Sequence, residues 1–539
     1  MGDILPKVNL DALILREDFR ASTQNPESSA VLAAELALKT LADETIRGLL
    51  RKPDFQRETA DWTPEQVAEL VQSFLEGDLI PSVILWRSPE NGNIFVIDGA
   101  HRLSALIAWV NDDYGDGHHS IRFFEGVIPD EQKKAAEQTR KLINQNIGSY
   151  QSLELALRHH DTADSEQVRL ARNMSIFSVK AQWVQGEAEK AESSFFRINQ
   201  KATQIDPTEL EIIQARRNPN ALAARAIMRA GTGHKYWSAF NEETQKEIEK
   251  LGKEVHGIID KSLHAPDLPS PGRTGSTTDI RMIFDLVNTV NKPFLKPTEG
   301  STRKSNRKAG STKAFEADTT GQETIRFLKS TRRSILLVHG NDPSSLGLHP
   351  GVYFYTATGN SQPSAFLATV QFVRTLRELN KLPTFTEIRR EFEEFLVEYK
   401  YFLNQIVHQY GSRGRPVPAI TTLYWTLFQS IQQQPNNKDA ALQSILNKKE
   451  FRKLKLKDEE RREYGRNFSR EIKSKLKLES SLKSADRCAI CLARLHINSV
   501  SIDHKIRRQD GGSGDPDNGQ LTHPYCNSGY KESMTPAGI

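Results

Sequence analysis

The 539-residue chain has three cysteines, at 488, 491 and 526, all within its last tenth. An odd, clustered set is a poor framework for disulfides and a good one for a metal. Cys488-x-x-Cys491 and His523-x-x-Cys526 form two ligand pairs. Thiolate and imidazole suit tetrahedral zinc, and a short loop lets each pair grip one ion. The segment around them is small and polar, so an apolar core alone would not hold its shape. The spacing therefore predicts a structural zinc site of Cys488, Cys491, His523 and Cys526. By itself it is silent on function.

The rest of the chain is long enough for roughly two to four domains. Hydrophobic residues make up 37% and charged residues 26%, the balance of a globular protein. No apolar run reaches membrane-spanning length. Met1-Gly2-Asp3-Ile4-Leu5-Pro6 has no basic stretch leading into an apolar one, so a cytoplasmic protein without a membrane partner is expected. The net charge of +5 is unevenly spread: from Lys448 to Arg487 fifteen Lys or Arg oppose eight Asp or Glu, a net of +7 that leaves −2 elsewhere. Such a segment beside a metal module would attract a phosphate backbone. It also fits a solvated helix face paired through Glu459, Glu460 and Glu463.

The N-terminal third alternates helix and strand. Thr63-Pro64-Glu65-Gln66 is a capping box, followed by Val67, Leu70, Val71, Phe74 and Leu75 at helical spacing, with Gly77 to close. Val83 to Trp86 and Ile94 to Ile97 read as a hairpin across Pro89-Glu90-Asn91-Gly92. After Asp98-Gly99 a helix begins near His101, and Asp206-Pro207-Thr208-Glu209 starts another. Residues 216–447 look mostly helical, with a basic loop at 301–313 and an ambiguous stretch from Val352 to Tyr355.

Between the zinc pairs run Asp503-His504-Lys505, Gly511-Gly512 and Asn518-Gly519-Gln520-Leu521, and then Cys526-Asn527. In this order the C-terminus resembles the HNH, or ββα-metal, nucleases. It departs at His523, where the family often has Cys, and at Asn527, where other members have His. The resemblance implies phosphodiester hydrolysis, which needs a base for water and a hard cation for the growing charge. His504 suits the base. Asp503 and Asn527 offer oxygens to Mg²⁺ or Mn²⁺. Asn518 is expected to tie the loop and orient His504. Lys505, Arg507, Arg508 and Lys531 are candidate phosphate contacts.

At the other end, Ile97-Asp98-Gly99-Ala100-His101-Arg102 lies between a strand and a helix. A glycine turn into a helix start can hold phosphate, and it can equally be a plain hairpin exit into a core helix. Phe55-Gln56-Arg57, Trp62 and Phe196-Arg197-Ile198-Asn199 accompany it. Together these are similar to the N-terminal domain of GmrSD-type modification-dependent restriction enzymes, which has a ParB/sulfiredoxin-like fold. Ala100 stands where that family usually has Gln. The resemblance implies a nucleotide or modified-DNA pocket around Gln56, Arg57, Asp98, Gly99, His101, Arg102 and Asn199. No P-loop is present, so a nucleoside triphosphate would be held differently from the common NTPases.

The expected protein is an α+β multidomain chain: a ParB-like α/β sensor at 10–215, a helical middle at 216–447, a basic helical connector at 448–484 and an HNH domain at 485–539. Its expected function is metal-dependent cleavage of foreign or modified DNA in an anti-phage restriction system, as a homo-oligomer or with partner defence proteins. The rival readings are a ParB-related DNA-binding regulator whose zinc module only binds, and an HNH nuclease directed at RNA.

Overall fold

The computed structural model describes residues 7–19, 33–56, 59–60, 62–201, 207–263, 268–269, 280–293, 315–411, 414–456 and 467–531. Arg57 and the basic loop at 301–313 lie outside the described residues, as does the side chain of Asn199. The chain divides into two compact units, Met1–Arg217 with Thr232–Ala239, and Asn218–Gly231 with Phe240–Ile539.

The first unit is built on six short strands: β1 (Leu15–Glu17), β2 (Glu35–Ala37), β3 (Leu50–Pro53), β4 (Val83–Arg87), β5 (Ile94–Asp98) and β6 (Ser178–Trp183). They form one mixed sheet in the order β1-β3-β5-β4-β6-β2. The β4–β5 hairpin is antiparallel, while β3 joins β5 and β6 joins β4 in parallel. Alternation along the strands sends side chains to both faces. Val83, Leu85 and Val96 enter the larger core beneath the helices, and Trp86, Phe95 and Ile97 enter an aromatic core with Phe19, Phe55 and Phe195. Helix α1 (Pro64–Glu76) has the full capping box, Thr63 and Gln66 bonding each other's backbone, and ends on Gly77 at φ +81°. Helix α2 (Ala100–Asn111) begins one residue past Gly99. Gly99 sits at φ +91°, and a Cβ there would lie 2.6 Å from Val83 Cγ1, so only glycine fits.

The second unit is a helical assembly ending in a small hairpin. Its helices include α3 (Glu242–Leu263), α4 (Ile280–Asn291), α5 (Gln322–Val338), α6 (Pro363–Glu378), α7 (Leu382–Glu398), α8 (Val417–Gln433) and α9 (Arg470–Ser484). Phe372, Phe385, Phe392, Tyr424 and Phe428 pack into one aromatic core where α6, α7 and α8 meet. The ambiguous stretch at Val352 resolves as a helical turn, Pro350–Tyr353, followed by a single bridge from Tyr355 to Ser361. At the C-terminus β7 (Ser501–His504) pairs antiparallel with β8 (Gly519–Thr522), setting Asp503 opposite Gln520. No helix among the described residues is long and apolar enough to cross a membrane.

Candidate active site and zinc centre

Cys488, Cys491, His523 and Cys526 converge, their ligand atoms all within 4.8 Å of one another and all four side chains buried. His523 Nδ1 lies 3.3 Å from the Cys491 sulfur and 3.8 Å from that of Cys526. These values bracket the tetrahedral edge of about 3.5 Å that zinc–sulfur and zinc–nitrogen bonds imply. The other ring nitrogen, Nε2, donates to the Arg494 carbonyl at 3.0 Å. That bond fixes the tautomer and aims Nδ1 at the sulfurs. Burial and the nearby Arg389 charge hold the imidazole below its ordinary pKa, in the neutral form a metal needs. Hydrogen bonds with Cys491 and Cys526 hold the Cys488 thiol far below the thiol range. Sharing the charge on Cys488 pushes Cys491 up to about 12 and Cys526 further still. The donor set, spacing and burial all fit zinc.

Little else holds this module from within. Its apolar core is Ala493 and Leu495 beside the cysteines, with Ile490 and Val500 at the edge. Instead it rests on a polar network from α7. Arg389 is completely buried and donates Nε to Glu393 at 2.8 Å, Nη2 to the Gly347 carbonyl at 3.1 Å, and Nη1 to that of Leu346. Burial alone would depress the guanidinium, but Glu393 and Cys491 keep it firmly charged. The second Glu393 oxygen accepts the Arg494 backbone N–H at 3.0 Å, inside the zinc loop. Gly347 packs so closely that a Cβ would lie 3.0 Å from His523 Cδ2. Nearby Lys400 is buried, donating to the Val352 carbonyl, and burial beside Arg494 pulls it down to about 7. Sequence reasoning missed Arg389, Glu393 and Lys400. Arg389 and Glu393 lie on α7 and Lys400 just past its end, roughly a hundred residues upstream, and nothing local marks them.

The hairpin carries the candidate catalytic residues. Asp503 is buried; Lys531 donates to both of its oxygens at 2.8 Å and also to the His504 carbonyl at 3.0 Å. Gln520 donates to Asp503 Oδ2 from across the strand pair at 2.8 Å. Asn527, one residue past the zinc ligand Cys526, spends its amide N–H on Ser501 Oγ and the Ile502 carbonyl. Its amide oxygen has no partner among the described residues, so Asn527 offers that acceptor beside β7. His504 is half-exposed, and Arg508 Nε approaches its Nε2 at 3.3 Å. Asn518 staples the loop, accepting from Ile506 N at 2.7 Å and donating to the carbonyls of Ile506 and Ser513. Gly512 is required by that closure, since a Cβ would sit 1.9 Å from the Ile506 oxygen. Lys505 turns back to the Asp517 carbonyl, while Arg507 stays at the surface. Asp503, His504, Asn527 and Lys531 are thus brought together, with Asn518 one step behind.

The N-terminal candidates are arranged differently. Asp98 and Arg102 pair with each other at 2.6 Å, and Arg102 also reaches the Pro81 carbonyl. The His101 ring stacks on Trp62 at 5.6 Å. Gln56 is buried, donating to the Val96 and Ile97 carbonyls of β5. Behind it, Asp11 binds Arg16 and Lys52 in a buried cluster that also ties down the turn at Pro53 and Gln56. No sequence signal pointed to Asp11, Arg16 or Lys52: Asp11 lies in a turn, and the strands of the other two are too short to read.

A zinc-fitted hairpin with an acid and an imidazole on one strand and an amide beside that strand suits a phosphodiester hydrolase. Comparison with known families agrees. Residues 488–532 match the family model for HNH endonuclease, and residues 38–216 match that for the N-terminal domain of the GmrSD restriction endonuclease. No curated protein and no solved structure matches the chain. The chain carries an HNH endonuclease domain behind a GmrSD-like N-terminal region, the combination of a restriction-type nuclease with DNA as the implied substrate.

Proposed function

We propose that this protein is a magnesium- or manganese-dependent DNA endonuclease of a cytoplasmic bacterial anti-phage restriction system. In this reading a ParB-like N-terminal domain senses a nucleotide or a modified DNA, and the HNH domain cuts foreign DNA. The observation that carries it is Asp503 and His504 on β7 with the Asn527 amide against the same strand at Ser501 and Ile502, on a hairpin beside the Cys488/Cys491/His523/Cys526 cluster.

The chemistry follows from those side chains. His504 takes a proton from water as the water oxygen bonds to phosphorus, and the bond from phosphorus to the leaving oxygen breaks. A hard cation held by Asp503 and the Asn527 amide oxygen, when bound, stabilises charge on that oxygen. Lys531, which donates to both Asp503 oxygens, is a candidate phosphate contact beside that acid, and Lys505, Arg507 and Arg508 are the others. Asn518 keeps the His504 loop closed. At the other end, Gln56, Asp98, Gly99, His101 and Arg102 would do the sensing; Arg57 and Asn199 belong to that set by the resemblance alone.

The test is cleavage of matched unmodified plasmid and modified phage DNA with Mg²⁺, with and without ATP, GTP or CTP. We expect wild type to cut and His504→Ala to lose cutting while keeping its zinc. Undiminished cutting by His504→Ala would overturn the assignment. A response of the wild type to modification or nucleotide identifies what the N-terminal domain senses.

A further inference from the structure

Neither family match reaches the helical middle, where α4, α5 and α6 enclose a cleft of about 340 Å³. Its floor is apolar, from Val290, Leu337 and Val370. Its walls are cationic: Lys292 follows α4, Arg326 and Arg333 come from α5, and Arg374 and Arg377 from α6. Glu378 is the one acid on the lining, against five bases. Ser330 and Ser334 add hydroxyls along the same face of α5.

We propose that this cleft binds a phosphate-bearing ligand, gripped by Arg333, Arg374, Arg377 and Lys292.

Ordinary solvated cations on these helices look different. Arg326 pairs with Glu323, Lys329 with Glu247 and Arg332 with Glu254. By contrast Lys292, Arg333 and Arg377 have no ion-pair partner among the described residues. Arg374 is held in place, donating Nη1 to the Thr289 carbonyl and Nη2 to that of Lys292, both at 2.7 Å. It caps the end of α4 and is half-buried, so little ordering remains when a ligand arrives. Burial lowers its pKa, with Glu378 opposing, so its charge sits in a place where an anion is welcome. Cations converging from three helices repel one another, and a cleft of one sign concentrates counter-ions. Phosphate suits the donor set because guanidinium forks and hydroxyls together satisfy several oxygens. The volume is at the low end of small-molecule pockets, roughly 300–1,000 Å³. It has room for pyrophosphate or the phosphates of a nucleotide; a DNA backbone phosphate at the mouth is the other source.

The experiment is calorimetric titration of the full chain, in a His504→Ala background without magnesium, with pyrophosphate, ATP and a short DNA duplex. Arg333→Ala/Arg377→Ala should weaken binding about tenfold or more, as loss of two charge-assisted bonds requires. Arg326→Ala, already paired to Glu323, should change it less. Both removed side chains are exposed, and a thermal melt without probe checks that the fold is kept. Lys292→Gln tests the same cleft from another element and should weaken the same probe. Small phosphates binding in this pattern assign a nucleotide-type ligand, and duplex alone binding in this pattern assigns the backbone. Binding unchanged in the double variant, or no binding by any of the three probes, overturns the inference. The readout is binding rather than cleavage, so it stands or falls apart from the nuclease reading.

Discussion

In the N-terminal sheet the motif residues are spent on one another and on the backbone: Gln56 bonds the β5 backbone, and the half-buried Asp98 and Arg102 bond each other. In the C-terminal hairpin Asp503 is buried on Lys531, but His504 is half-exposed and the Asn527 amide oxygen has no partner among the described residues. The difference follows from what holds each scaffold. The sheet has apolar cores on both faces, so its polar residues serve as local fasteners within a structure that burial already stabilises. The hairpin has almost no core and is fixed from outside the site, by four metal-type ligands and by Arg389 and Glu393. A scaffold fixed that way leaves its strand-end side chains for chemistry.

The harshest way to break this comparison is to remove the metal ligands. Cys488→Ser, or stripping zinc with a chelator, should abolish cleavage and the hydrogen-exchange protection of β7 and β8, while protection of β3 to β6 stays. Structural zinc contributes on the order of 10 kcal/mol or more to such modules, far beyond what two alanine- and leucine-sized core residues replace. Protection of β7 surviving in the zinc-free protein would mean that the α7 network suffices. The next largest effect tests that network. Arg389→Met leaves Glu393 buried without its partner, which should cost about 3–5 kcal/mol in urea unfolding of the second unit. Glu394→Gln, whose partners Arg487 and Arg494 meet it at a half-exposed surface, should cost only about 0.2–1 kcal/mol. Equal costs for the two would show that burial does not set the strength of this docking.

The same contrast explains what could be read beforehand. The zinc cluster was legible because two ligand pairs advertise themselves by spacing alone, wherever the chain carries them. The α1 capping box and the β4–β5 hairpin were legible because their determinants are neighbours in sequence. Strands β1 and β2 are three residues long, too short for alternation to declare itself, and their pairings are with distant strands. Arg389 and Glu393 look like two more charges on an amphipathic helix until the fold buries them. The cationic cleft was illegible for a related reason. Its bases come from three helices, each of which reads alone as a solvated face.

The smallest effect sharpens the comparison most. Strand β5 carries an extra residue against β4, since Ile84 pairs with Asp98 while Leu85 pairs with Val96. Such a bulge takes a carbonyl out of the ladder, and the Gln56 amide fills the gap by donating to both Val96 and Ile97. A buried carbonyl that loses its donor costs about 1–3 kcal/mol. Gln56→Ala should therefore lower the stability of the first unit by that amount, seen as faster exchange of the amides around 94–98. Basal cleavage by the HNH domain should be unchanged. The Gln56 side-chain oxygen is buried and accepts no bond among the described residues, so the same residue also has an acceptor to offer a ligand. If Gln56→Ala leaves exchange at β5 untouched but removes the response to nucleotide or modified DNA, Gln56 serves recognition rather than the sheet. The N-terminal site then resembles the C-terminal one after all, with side chains freed for chemistry by a scaffold that stands without them.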